Sequence, residues 1–150
     1  MSIIRSIVVV LILMLSSQAL RAQQAQGSMA LGIRLSTPQA TVNNAVSFRY
    51  FIRDQSALEA LVGFDPWSVG LLYEKFLPTR VPGLEWYFGG GAYGAFTGSD
   101  VLGAMGIIGL DYTLPSVPIN MSVDWKPELN LVNNVHFQGS ALALSVRFVF

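Results

Sequence analysis

The chain predicts an all-β fold, an eight-stranded antiparallel up-and-down transmembrane β-barrel. Three observations carry that expectation. The last stretch, residues 140–150, reads S-A-L-A-L-S-V-R-F-V-F and alternates strictly. Leu142, Leu144, Val146, Phe148 and Phe150 share one face, and Ala141, Ala143, Ser145, Arg147 and Val149 the other, the period of an extended strand between two environments. The same alternation recurs in eight short runs punctuated by turn residues. Finally, the charges on those runs lie opposite the large apolar side chains. A soluble sandwich would spread charge over its outside, yet only 12% of this chain is charged, about half the usual share in soluble domains.

The first residues read differently from the rest. Arg5 precedes an uncharged run from Ile7 to Leu15, followed by Ser16, Ser17 and Ala19 and by Arg21-Ala22-Gln23. A basic start, a short apolar stretch and small residues at its exit make a secretory signal peptide. The run is shorter than the roughly 20 residues a spanning helix needs. Cleavage is expected after Ala22, with Ala19 as the alternative, leaving residues 23–150 as one barrel domain. Without Arg5 and Arg21, seven basic and nine acidic residues remain, a net charge of −2. That balance offers no basic patch for nucleic acid. The chain has no cysteine, so a disulfide framework and thiolate metal sites are excluded.

The runs follow in order. Met29 to Leu35 sets Leu31, Ile33 and Leu35 against Ala30, Gly32 and Arg34, and Thr37-Pro38 and Asn43-Asn44 then turn the chain. Ala45 to Arg53 sets Val46, Phe48, Tyr50 and Ile52 against Ser47, Arg49, Phe51 and Arg53. After Asp54-Gln55-Ser56, the run Ala57 to Phe64 places Glu59 and Leu61 opposite Leu58, Ala60, Val62 and Phe64. Asp65-Pro66 breaks it, because proline donates nothing to a ladder. Trp67 to Phe76 places Glu74 opposite Val69, Leu71 and Tyr73, and Leu84 to Phe96 places Glu85 and Tyr87 opposite Trp86 and Phe88. Val101 to Thr113 puts Asp111 opposite Leu110 and Tyr112. Ile119 to Lys126 sets Ile119, Met121, Val123 and Trp125 against Asn120, Ser122, Asp124 and Lys126. Residues 127–139 read as a polar loop before the closing strand. Eight strands is an even number, as single-chain outer-membrane barrels have. With both termini in the periplasm, residues 37–44, 65–67, 97–100 and 127–139 face outward. Turns 54–56, 77–83 and 114–118 then face the periplasm.

The minority faces carry Arg34, Arg49, Glu59, Glu74, Glu85, Asp111, Asp124 and Arg147. Charge on a lipid face costs about 2–4 kcal/mol for an arginine near the midplane, so these side chains are expected to point inward. An eight-stranded bore is only wide enough for side chains to fill. Charges of both signs packed there must pair. Arg34, Arg49 and Arg147 are each expected to find a partner among the five carboxylates, as a structural plug or, alternatively, as a gated polar path. Tyr50, Trp67, Tyr73, Trp86, Tyr112, Trp125 and Phe148 tend toward strand ends, where interfacial girdles form, though aromatics favour strands in any case.

Two motifs are set aside. Residues 89–94, G-G-G-A-Y-G, match a dinucleotide fingerprint, but no helical pattern follows to hold a pyrophosphate. His136, the only histidine, suggests a hydrolase triad with Ser140 or Ser145. Lipid A deacylase barrels carry His and Ser two residues apart on one strand, and here that place holds Gln138. No catalytic, metal or cofactor-binding residues are assigned, and no enzyme is expected.

The stretches Leu71-Leu72-Tyr73-Glu74-Lys75, Trp86 to Gly91, Ile119 to Pro127 and the terminal S-V-R-F-V-F together resemble small bacterial outer-membrane β-barrel proteins of the type found in the Bacteroidetes. These share the eight-stranded architecture of OmpA-like and OmpX-like barrels. The resemblance implies a location in the outer membrane of a Gram-negative cell, as a monomer among lipid and lipopolysaccharide. It implies that the terminal aromatic strand, with Phe148 and Phe150, is the signal read by the barrel-assembly machinery. A structural or accessory role follows, or else a porin-like narrow conduit for small or apolar solutes of the OmpW type. The outer loops are shorter than those of OmpX-type adhesins.

Overall fold

The computed structural model describes residues 28–96, 98 and 100–150; the expected signal peptide, residues 1–22, lies outside them. Among the described residues strands are the only regular elements. They are β1 (Met29–Ser36), β2 (Ala45–Arg53), β3 (Ser56–Phe64), β4 (Trp67–Pro78), β5 (Leu84–Ala95), β6 (Val101–Thr113), β7 (Ile119–Trp125), β8 (Glu128–Asn130), β9 (His136–Gln138) and β10 (Leu142–Val149).

Strands β1 to β7 pair antiparallel in chain order, β7 pairs with β10, and β10 returns to β1. The eight strands therefore close on themselves, and closure removes the open edges a flat sheet would expose. The stagger can be followed residue by residue. Met29 lies opposite Tyr50, Tyr50 opposite Leu58, Leu58 opposite Tyr73, Tyr73 opposite Gly90 and Gly90 opposite Gly106. The same registers continued through β7 and β10 return to β1 at residue 39, ten positions beyond the start. A stagger slightly larger than the strand number belongs to strands tilted by about 35–45° around a bore that side chains fill.

One expectation needs correcting. Residues 127–139 are not a loop but a β-hairpin, β8–β9, that prolongs the wall. Ile108 faces Trp125 of β7, and Gly103 faces Asn130 of β8 in the same register. The gap at Lys126-Pro127 is a missing donor and not a slip. Proline has no N–H to give, yet its carbonyl still accepts from the Gly106 N–H at 3.0 Å. The closing strand β10 begins only opposite Trp125, so the hairpin rises above β10 while β6 runs beside it.

Wall height is uneven. Strands β4, β5 and β6 have 12, 12 and 13 residues, while β1, β2 and β10 have 8, 9 and 8. The turns at 54–55, 79–83 and 114–118 share one end of the barrel, the short-turn end, and the two-residue turn Asp65-Pro66 lies at the other. At the short-turn end Gly83 holds a positive φ of 82°, a backbone conformation that glycine adopts readily. A Cβ would press on the Thr113 carbonyl oxygen, while the Gly83 carbonyl accepts from the Thr113 N–H at 2.9 Å. The longer connections, 37–44 and the β8–β9 hairpin among them, share the other end.

The burial pattern is inverted relative to a water-soluble domain. Leu31, Ile33, Leu71, Trp86, Phe88, Val123, Trp125 and Leu142 are exposed on the outside, while the largest fully buried side chains are Arg34, Arg49 and Arg147.

Candidate functional site

The chemistry of the molecule lies in the lumen, where every second residue of each strand points. In the half nearer the short turns, polar side chains form two hydrogen-bonded groups, which meet where Arg49 lies against the Tyr87 ring. The Arg34 guanidinium forks onto both oxygens of Asp124, and the Tyr87 hydroxyl donates to Asp124 Oδ2 at 2.7 Å. Arg49 Nη1 donates to Asp111 Oδ2 at 2.6 Å, with Nε 2.9 Å from Glu74 Oε2 and Nη2 3.5 Å from Glu59 Oε2. The latter two are ion pairs without an aligned N–H donation. Arg147 Nη2 donates to Glu59 Oε1 at 2.5 Å, its Nε to Ser47 at 2.7 Å, and its Nη1 to Ser122 at 2.8 Å and Asn120 at 3.2 Å. Asn120 in turn donates to Asp111 at 2.5 Å.

Arg49 is flanked by rings as well as by carboxylates. Arg49 lies 5.1 Å from the centre of the Phe76 ring and 5.3 Å from that of Tyr87. The two rings stack with centroids 5.5 Å apart. A guanidinium over an aromatic face gains from the ring quadrupole, more so away from water. It is also weakly hydrated for a cation, which suits arginine over lysine at a buried fork.

Glu85 stands apart from the other inward charges. It is half-buried, and no basic side chain lies within ion-pair distance among the described residues. It sits on the lip of a cavity of about 540 Å³ at the short-turn end, lined among others by Phe51, Arg53, Thr79, Leu84 and Asn120. Its height on β5, one residue into the strand, explains the difference, because the barrel end is open to solvent.

Two buried charges were not among the candidate residues of the sequence. Lys126 pairs with Glu128 near the long-loop end, both with fully buried side chains. Lys126 could have been found, since it shares a face with Asp124. Glu128 was hidden behind Pro127, which interrupts the alternation. Ser47, Asn120, Ser122 and Tyr87 were also passed over as neutral.

Above the network the lumen turns apolar, with Leu61, Leu72, Tyr93, Met105 and Ile107 packed together. His136 is exposed on β9, whereas Ser145 is fully buried inside the barrel, so the two face different environments. At the terminus, Phe148 and Phe150 are half-buried with ring centroids 6.3 Å apart, and Phe150 exchanges backbone hydrogen bonds of 2.9 and 3.2 Å with Met29. The arrangement holds opposite charges in fixed pairs inside the wall. Comparison with protein-family models, with curated proteins and with solved structures returns no match to this chain.

Proposed function

We propose that this chain is an integral outer-membrane β-barrel protein with a structural or accessory role and a closed, salt-bridged lumen. The observation that carries the reading is the inversion of burial: arginines fill the inside and leucine, valine and tryptophan cover the outside. An apolar belt running round a whole barrel far exceeds the few hundred Å² of contiguous apolar surface that soluble monomers expose. A lipid environment removes that penalty and turns the belt into the stabilising surface. The partners of such a chain are outer-membrane lipid and lipopolysaccharide, with the barrel-assembly machinery reading the terminal strand during biogenesis. It acts as a monomer, without cofactor and without enzymatic activity.

Fractionation tests the location. The mature chain, lacking residues 1–22, is expected in outer-membrane fractions with the heat-dependent gel mobility of folded barrels. Replacing Phe150 with aspartate should lower its amount there. Recovery of the wild type as a soluble periplasmic protein ends the reading, and undiminished membrane levels of Phe150→Asp remove the assembly role.

Conductance tests the closed lumen. Three arginines, Lys126 and five carboxylates are buried inside the wall, leaving little room for a water column in a bore of this size. Planar bilayers holding the wild-type protein should show little or no steady current. Large, stable channels would instead support the second reading, a narrow conduit for small or apolar solutes. That reading draws on the apolar stretch of lumen above the ion pairs.

A further inference from the structure

The connection between β1 and β2, residues 37–44, does not simply leave the barrel. It turns back into the mouth, where Ala40 is 4% and Val42 0% exposed. Val42 joins the cluster that contains Leu61, Leu72, Tyr93, Met105 and Ile107. Its position is held from the side. The Thr41 N–H donates to Glu128 Oε2 at 2.7 Å, and Glu128 is itself held by the buried Lys126 ammonium. The Thr37 hydroxyl anchors the start of the connection by donating to the Ser140 carbonyl at 2.6 Å.

The wall around this cluster is hollowed by glycine. A Cβ on Gly70 would lie 2.9 Å from Met105 Cε, and one on Gly103 would lie 2.6 Å from the Tyr93 ring. The space left by the two missing side chains is thus taken by a thioether and a ring, and Val42 packs in the same cluster. Methionine repacks easily around different neighbours. The polar half of the lumen is different in kind, since its filling is tied strand to strand by charge. The apolar half, by contrast, is filled in part by Val42, which belongs to no strand of the wall.

We propose that the apolar half of the lumen is a binding chamber for a small aliphatic molecule, with Val42 as a built-in occupant that the ligand displaces when residues 37–44 lift. Ligand pockets are concave, mainly apolar and supplied with few polar groups, and here the flanking polar group, Glu128, is already engaged in holding the connection down. The ion-pair layer beneath stays in place, so filling the chamber does not open a passage. The site is argued from the barrel interior, and its test in lipid rests on the outer-membrane reading; a chain that does not insert into nanodiscs fails that reading, whereas an inserted chain without saturable Met105 shifts fails the proposal. An aliphatic occupant could be a dissolved solute or the end of a lipid chain, and the test separates them.

The methionine methyls report directly. Met105 is 5% exposed in the chamber, whereas Met121 is 40% exposed on the outer face and registers general partitioning. In nanodiscs of chain-deuterated lipid, titration with 1-hexanol should shift the Met105 ε-methyl resonance saturably, with cross-peaks to hexanol. The Met121 resonance should drift without saturating. Thr41→Pro removes the N–H that holds the connection, and Val42→Ala empties its place. Each should tighten binding by about tenfold, because a closed state lowers apparent affinity by the fraction that is open. Repeating Thr41→Pro in protonated lipid without hexanol identifies a lipid chain as occupant if Met105 gains lipid cross-peaks. Parallel, unsaturable shifts at Met105 and Met121 overturn the proposal. So does unchanged affinity in Val42→Ala, which keeps the backbone intact should Thr41→Pro fail to fold.

Discussion

Replacing Arg49 with alanine is expected to destabilise the folded barrel by about 3–5 kcal/mol, the cost of removing one partner from a buried ionic cluster. Arg49 is the side chain on which most depends, because Glu59, Glu74 and Asp111 all lie within ion-pair distance of it. Its loss leaves Glu74 with no ion partner among the described residues and removes the charge beside the stacked Phe76 and Tyr87 rings. Glu59 retains Arg147 and Asp111 retains Asn120, so the damage concentrates on one carboxylate. Arg34→Ala should cost less, since Asp124 keeps the Tyr87 hydroxyl. Arg80, exposed in a turn, should tolerate alanine within about 0.5 kcal/mol. Urea unfolding in lipid vesicles, followed by the fluorescence of Trp67, Trp86 and Trp125, orders the three variants. Equal midpoints for Arg49→Ala and Arg80→Ala would mean that the lumen charges are solvated and not paired.

The network also explains how a narrow wall keeps its register. Arg34 on β1 reaches Asp124 on β7 and, through it, Tyr87 on β5. Arg49 on β2 gathers carboxylates from β3, β4 and β6, and Arg147 on β10 joins β2, β3 and β7. Each of the eight wall strands contributes a group. A slip of one residue on any strand turns its lumen charges toward the outside, so cross-lumen pairing penalises every wrong register at once. Ladder hydrogen bonds alone do not discriminate in that way, being much the same at any register.

The fold was legible because period-two alternation is local. Ile119 to Trp125 announces both its strand and its inward face without reference to any neighbour. Pairing was not legible. Nothing within β1 or β7 indicates that Arg34 meets Asp124, 90 residues away, since that depends on tilt and stagger summed over the wall. Residues 127–139 were misread because one proline hides a three-residue strand, and the burial of Val42 went unseen because an inward-turning connection has no periodicity to reveal it. Glu85 shares the alternation of its buried relatives but sits at the rim, and height along the barrel axis is not encoded in alternation.

The glycine run on β5 supplies the sharpest contrast between two neighbouring positions. Gly91→Val is expected to prevent barrel formation, whereas Gly90→Val should fold at close to the wild-type yield. Gly91 points into the lumen, where β4 crowds the backbone. A Cβ there would lie 2.8 Å from the carbonyl carbon of Leu71 and 2.9 Å from the Cα of Leu72, with the Leu71 oxygen nearer still. Carbon atoms in contact prefer about 3.5–4.0 Å, and backbone on a paired strand cannot step aside as a side chain does. The cost should therefore reach or exceed the upper end of ordinary overpacking, about 3 kcal/mol. Gly90 faces outward, and the one atom near its added Cβ is the Met105 carbonyl oxygen at 3.4 Å. Valine suits an extended strand, and it narrows the unfolded ensemble relative to glycine. The apparent dinucleotide fingerprint at residues 89–94 is thus explained by strand curvature, with Gly89 and Gly91 on the crowded lumen side. Refolding both variants from urea into vesicles and measuring the heat-modifiable fraction decides the matter. Comparable yields from Gly90→Val and Gly91→Val would show that β4 and β5 do not approach each other this closely.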